Sequence, residues 1–114
     1  MARTATTFDP FNAISEPKRR DLLLALAGRE MSVTQLVDTM GWNQPMVSKH
    51  LGVLKQVGLV SERKRGRFRI YQVNAARLKP IQDWVIQFEQ YWVNPLDQLE
   101  EYLNKIQANE VKDE

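Results

Sequence analysis

Residues 42–60 read WNQPMVSKHLGVLKQVGLV. Asn43 is a good N-cap, because its side-chain oxygen can accept a free amide of the first helical turn. Pro45 fits in that turn, where its missing donor is not needed. Val47, Leu51 and Leu54 then recur at i, i+4 and i+7, which makes one apolar stripe. The other side carries Gln44, Ser48, Lys49, Gly52 and Gln56: one cation, no carboxylate, and short or amide side chains. A solvated helix face ordinarily mixes both signs. This one suits close approach to a phosphate-lined groove, with amides and hydroxyls offered to base edges. An ordinary surface helix fits the same residues, and they do not separate the two readings.

Upstream, Ser32-Val33-Thr34-Gln35 matches a capping box. Val33, Leu36, Val37 and Met40 form the apolar side of that helix, and Gly41 ends it. Residues 32–57 therefore read helix, short turn, helix, the spacing of a helix-turn-helix. Earlier still, Asp9-Pro10 within FDPFNAI (8–14) predicts a short helix. It offers Phe8, Phe11 and Ile14 for packing on the domain or on a second subunit. Ser15-Glu16-Pro17 opens the next helix, with Leu22, Leu23 and Leu26 as its buried side and Gly28 placed to end it. Lys18, Arg19 and Arg20 crowd its first turn, where cations oppose the helix dipole. A nearby anion such as a phosphate would account for them. So would a solvated basic turn offset by Glu16 and Asp21.

Downstream, Gly58 ends the second helix of the pair. Leu59 to Arg63 reads as a short strand, Lys64 to Arg67 as a turn, and Phe68 to Val73 as an alternating second strand, which together predict a β-hairpin. Phe68, Ile70 and Gln72 share one face; Arg67, Arg69, Tyr71 and Val73 share the other. Five cations fall between Arg63 and Arg69, with Glu62 the only carboxylate nearby in sequence. Internal partners are expected to be too few for them, and a phosphate or minor-groove contact would use the remainder. A solubilising loop is the plainer reading.

From Pro80 the composition changes. Val85, Trp92, Leu99 and Ile106 are spaced by sevens, with Phe88, Leu96 and Leu103 between them and Trp84, Tyr91 and Tyr102 widening the band. That is a heptad-like seam. The first three helices and the hairpin already supply a core, so this stripe is expected to need another surface, either a second copy or its own domain. Asn94-Pro95 interrupts it and predicts a kink, or a fresh helix capped by Asn94. The charge shifts at the same place: residues 1–79 hold 14 Lys+Arg against 6 Asp+Glu, and residues 80–114 hold 2 against 8. A basic front half suits a polyanion.

With 114 residues and a 43% hydrophobic composition, the chain is expected to form one domain with an appended element. There is no apolar run long enough for a membrane span. MARTATTFD has no secretory h-region. The absence of cysteine excludes disulfides and thiolate chemistry and fits a reducing cytoplasm. No histidine–carboxylate cluster or phosphate-cradling glycine loop points to an enzyme, and no cofactor is expected.

The order helix, helix, helix-turn-helix, basic hairpin, terminal helix resembles the ArsR/SmtB family of bacterial and archaeal repressors. The likeness runs from about Phe8 to Leu103. It rests on SEPKRR (15–20), NQPMVSKHLGVLKQVGLV (43–60) and RKRGRFRIY (63–71). The resemblance implies a mainly α (α+β) fold: a winged helix-turn-helix with a two-stranded β-hairpin wing and a C-terminal dimerisation helix kinked or broken near Pro95. It implies a homodimer reading an inverted repeat in double-stranded DNA, with Gln44, Ser48 and His50 in or beside the recognition contacts and the wing arginines on adjacent DNA. Metal-sensing members carry cysteines on the helix before the reading helix, where this chain has Ser32-Val33-Thr34-Gln35-Leu36. Others carry Asp and His pairs on the terminal helix, where Asp83 here is followed by Trp84, Val85, Ile86 and Gln87. The sole histidine, His50, lies in the reading helix. A transition-metal sensor needs clustered soft or imidazole ligands, so metal is not expected.

The resulting expectation is a cytoplasmic transcriptional regulator, a repressor by family likeness. Residues 1–79 would form the DNA-binding domain, with the helix-turn-helix at 32–57 and the wing at 59–73. Residues 80–108 would form the dimerisation helix and 109–114 a disordered tail. Gln44, Ser48, Lys49 and His50 would meet bases or nearby phosphates. Lys18, Arg19, Arg63, Lys64, Arg65 and Arg67 would position the duplex. Phe8, Phe11, Val85, Phe88, Trp92, Leu96, Leu99, Leu103 and Ile106 would form the dimer interface. The alternative is a winged-helix protein-interaction module without sequence-specific DNA binding.

Overall fold

The Asp9 carboxylate accepts a hydrogen bond from the Phe11 amide at 3.0 Å and starts α1, Pro10–Ala13. Glu16 plays the same part for α2, Pro17–Leu26. Both helices carry proline in the first turn, where no intrahelical donor is required. The computed structural model describes residues 9–92 and 95–113, so Phe8 and Asn94 lie outside the described residues. The chain divides into two compact units, residues 1–83 and 84–114.

In the first unit, α2 ends at Leu26, two residues before Gly28. A two-residue strand β1, Met31–Ser32, follows. It leads directly into α3, Val33–Met40, whose capping box is complete. The Gln35 amide donates to Ser32 Oγ at 3.2 Å, and the Ser32 amide donates to Gln35 Oε1 at 2.8 Å. Gly41, at φ 71°, ends α3 in the left-handed conformation that favours a residue without Cβ. The helix α4 spans Gln44–Gln56. Its end is a Schellman motif: Leu59 N–H reaches the Leu54 carbonyl at 2.9 Å, Gly58 N–H reaches that of Lys55 at 3.0 Å, and Gly58 sits at φ 80°.

The hairpin pairs β2, Val60–Arg65, with β3, Phe68–Val73. The register sets Glu62 opposite Tyr71, Arg63 opposite Ile70 and Arg65 opposite Phe68. Only Gly66 and Arg67 lie between the strands, so the turn is tighter than Lys64–Arg67. The wing is also more than two strands: β1 pairs with β3 on the side away from β2, in the order β1-β3-β2. Two residues carry too little periodicity to read as a strand from sequence alone. Leu22 and Leu26 of α2, Leu36 of α3, Val47, Leu51 and Leu54 of α4, and Leu59 are nearly inaccessible. These side chains form the core that fixes the three helices and the sheet together.

After a 3₁₀ turn at Ala75–Leu78, α5 spans Lys79–Val85. The heptad-like seam does not ride one helix. Ile86–Tyr91 is 3₁₀, Trp92 is extended at ψ 136°, and α6 begins at Pro95. Pro95 has no N–H to donate to the Tyr91 carbonyl, and its ring would collide with that group. The helical run is already interrupted at Trp92, ahead of Pro95. α6 runs on to Asp113, past residue 108 where the apolar pattern stops. No described helix is long and apolar enough to cross a membrane.

Candidate nucleic-acid interface

The Asn43 side chain caps α4, accepting from the Met46 amide at 2.9 Å. Val47, His50, Leu51 and Leu54 are its buried residues. Gln44, Ser48, Lys49, Gly52, Lys55 and Gln56 are exposed. The helix contains no Asp or Glu, so its outer face offers donors, amides and cations with nothing to repel a phosphate. Gly52 stands on that face, and a Cβ built there meets nothing within 4 Å. Among the described residues, no packing requires glycine at this place.

His50 is placed differently from Gln44 and Ser48. Only 8% of it is exposed, and Nδ1 is buried without a hydrogen-bond partner among the described residues. Its ring meets Trp42 edge-on, centroids 6.4 Å apart. Burial pushes the imidazole pKa below its ordinary value, and the Arg19 charge adds to that. A neutral, inward imidazole is a core group first. The helical angle at position 50, at the edge of the apolar stripe, left both roles open. Lys18 lies over the Trp42 ring, its Nζ 4.7 Å from the centroid. It lines an open cleft with Glu16, Pro45, Met46, Lys49 and His50.

Arg19 and Arg20 have internal acceptors. Arg19 Nε donates to the Ala13 carbonyl at 2.6 Å, and its Nη2 to that of Asn12 at 3.3 Å. Arg20 Nη1 donates to the Ile14 carbonyl at 2.7 Å. These carbonyls belong to the C-terminal end of α1 and the turn after it, where acceptors are left over. Arg19 and Arg20 thus complement the negative end of α1, and an external anion is not needed to explain these two.

The wing cations also have more internal partners than the sequence suggested. Glu30 reaches Arg63 at 2.5 Å and Arg65 at 3.9 Å. Glu62 accepts from Lys55 at 2.6 Å and from Arg69 at 3.0 Å. The Lys55 ammonium, then the Tyr71 hydroxyl, hold the Glu62 carboxyl down at about 2. Burial, then Glu62, pushes Tyr71 up to about 12. Lys64 and Arg67 pair with no carboxylate among the described residues, and Arg67 instead lies 5.9 Å from the Phe68 ring centroid. Glu30 was invisible as a partner because 33 residues separate it from Arg63.

Ser32 and Gln35 are engaged in the capping box, and Asp83 lies 3.6 Å from Lys79. Among the described residues no three His, Cys, Asp or Glu side chains gather where they could hold an ion. In the second unit, Phe88, Trp92, Leu96, Leu99, Leu103 and Ile106 are exposed, and Trp84 packs edge-on against Phe88 with centroids 5.1 Å apart. Val85 is half-buried, and Phe11 in the first unit is exposed.

The signature of bacterial regulatory proteins of the arsR family matches residues 16–62. The chain is 33% identical over 78 residues to the transcriptional repressor SdpR of Bacillus subtilis, covering 68% of this chain and 87% of that protein. It is 36% identical over 72 residues to an uncharacterized HTH-type transcriptional regulator of Methanocaldococcus jannaschii, covering 62% and 81%. A crystal structure of a possible transcriptional regulator for arsenical resistance superposes with a TM-score of 0.58 at 34% identity, over 78% of this chain and 90% of that one. An ArsR-like regulator from Rhodococcus shares the fold over 93% and 96%, with a TM-score of 0.64 at 24% identity. The winged helix-turn-helix described above and these relatives agree: the chain belongs to the arsR family of transcriptional regulators, DNA-binding proteins rather than enzymes.

Proposed function

We propose that the protein is a repressor that binds an inverted-repeat operator as a homodimer. The carboxylate-free outer face of α4, exposed at Gln44, Ser48 and Lys49, carries this reading. Gln44 and Ser48 offer an amide and a hydroxyl of the kind that pair with base edges in the major groove. Lys49, Lys18 and the wing cations supply the sequence-independent attraction to phosphates. Two copies related by a two-fold axis would set their reading helices in successive major grooves about 34 Å apart.

The second copy is supported by α6. Leu96, Leu99, Leu103 and Ile106 fall on one helical face and stay 37–74% exposed. Each such side chain, once buried, contributes roughly 1.5–3 kcal/mol, so a mutual interface would hold firmly. On this reading the protein acts in the cytoplasm.

Selection of duplexes from a random pool, with sedimentation of the protein alone, tests the whole reading. The expected outcome is a dimer mass and selected sequences with dyad symmetry. A monomer that selects no sequence would refute it.

A further inference from the structure

Glu30 sits just before β1, and Arg63 lies on β2, with the central strand β3 between them. The ion pair therefore spans the sheet. The register puts Arg63 opposite Ile70 and Arg65 opposite Phe68. Arg63 and Arg65, two residues apart, thus share one face of the hairpin, and one carboxylate oxygen of Glu30 faces both guanidinium groups. Glu62 serves Lys55 and Arg69 from the opposite face.

An exposed pair of this kind contributes little to stability; half or more of each guanidinium side chain and about a third of Glu30 remain exposed. Its larger effect is on charge. A carboxylate and a DNA phosphate compete for the same planar guanidinium fork. Affinity for duplex of any sequence rises with each cation free to neutralise a phosphate. An internal carboxylate on two wing arginines lowers that count.

Resting on the DNA-binding reading above, we propose that Glu30 is a positioning residue for that function: it clamps Arg63 and Arg65 across the sheet and so restrains binding to non-operator DNA. A duplex must displace Glu30 from Arg65, the looser contact, before that arginine can reach phosphate. Random-sequence DNA has only the phosphate attraction to offer, so the same displacement cost takes a larger share of its binding energy. Operator DNA adds base contacts from α4 and is penalised proportionally less.

The test is titration of the full-length protein with a random-sequence duplex at several salt concentrations, for wild type, E30Q, R63Q/R65Q and the triple variant. E30Q is expected to bind roughly fivefold to tenfold tighter at low salt, and to steepen the dependence of log affinity on log salt by about 0.9 for each phosphate gained. In the R63Q/R65Q background the same change at residue 30 should have almost no effect. Unchanged affinity and slope in E30Q would overturn the clamp. A gain that persists undiminished without the two arginines would also overturn it, since that is a general charge effect. Wild-type protein that ignores duplex at every salt level would overturn the DNA reading itself, and the clamp with it.

Discussion

The Glu62 carboxylate accepts a hydrogen bond from Lys55 Nζ at 2.6 Å, which ties the last turn of α4 to β2. Arg69 donates to the same oxygen from β3. The two candidate DNA-contacting elements are thereby joined through one acceptor, beyond the apolar contacts of Leu54, Leu59 and Val60 beneath them.

Glu62→Gln removes the charge at that junction. At neutral pH the variant should unfold at lower urea concentration, by about 1 kcal/mol for surface-level pairs. The pH dependence has a definite sign. The folded carboxyl is held at about 2, below its ordinary 4.5, so its contribution is present above 4.5 and is lost as pH falls toward 2. Wild type should therefore lose stability through this window more steeply than the variant. Parallel curves would remove Glu62 as the cause.

His50 gives a second acid effect at higher pH. Its folded pKa lies below the ordinary 6.5 because burial disfavours the cation. The unfolded chain takes up the proton first, so stability is full above 6.5 and declines as pH falls below it. Replacing His50 with Gln should flatten that decline while costing some stability at neutral pH through poorer packing. Denaturation midpoints measured on either side of 6.5 check both parts.

Gly52→Ala should raise stability by roughly 0.5–1 kcal/mol, because glycine inside a helix is unfavourable and nothing lies within 4 Å of the added methyl. If the outer face of α4 approaches a duplex closely, the same substitution should weaken operator binding. A thermal melt and a DNA titration on one preparation read the two opposed effects.

Lys64→Gln and Arg67→Gln, at the wing positions without a carboxylate, should weaken binding to every duplex and reduce the salt slope by about 0.9 each. Gln44→Ala and Ser48→Ala should leave that slope alone and relax sequence preference, at roughly 1–3 kcal/mol of discrimination per lost base contact. Competition between selected and random duplexes distinguishes the two classes.

Much of the first unit was legible because its signals are local. The Asn43 cap, the Ser32/Gln35 capping box and the stops at Gly41 and Gly58 each depend on residues within five positions, and all four form. The apolar stripe Val47, Leu51, Leu54 is buried as its spacing required. The seam from Val85 to Ile106 crosses Pro95, where the sequence itself marks an interruption, and Trp92 just before it is extended. Periodicity records which residues are apolar, not whether one unbroken helix carries them.

Sequence alone therefore determined the helix-turn-helix, the hairpin, and the carboxylate-free face of α4. Caps, periods and turn residues act over a few positions and leave little freedom. The tertiary structure alone decided that Glu30 reaches Arg63, that Arg19 meets the end of α1, that His50 faces inward, and that β1 joins β3. Those contacts are set by how finished elements pack. A charged or polar side chain finds its partner only after the hydrophobic core has fixed which parts of the chain are neighbours.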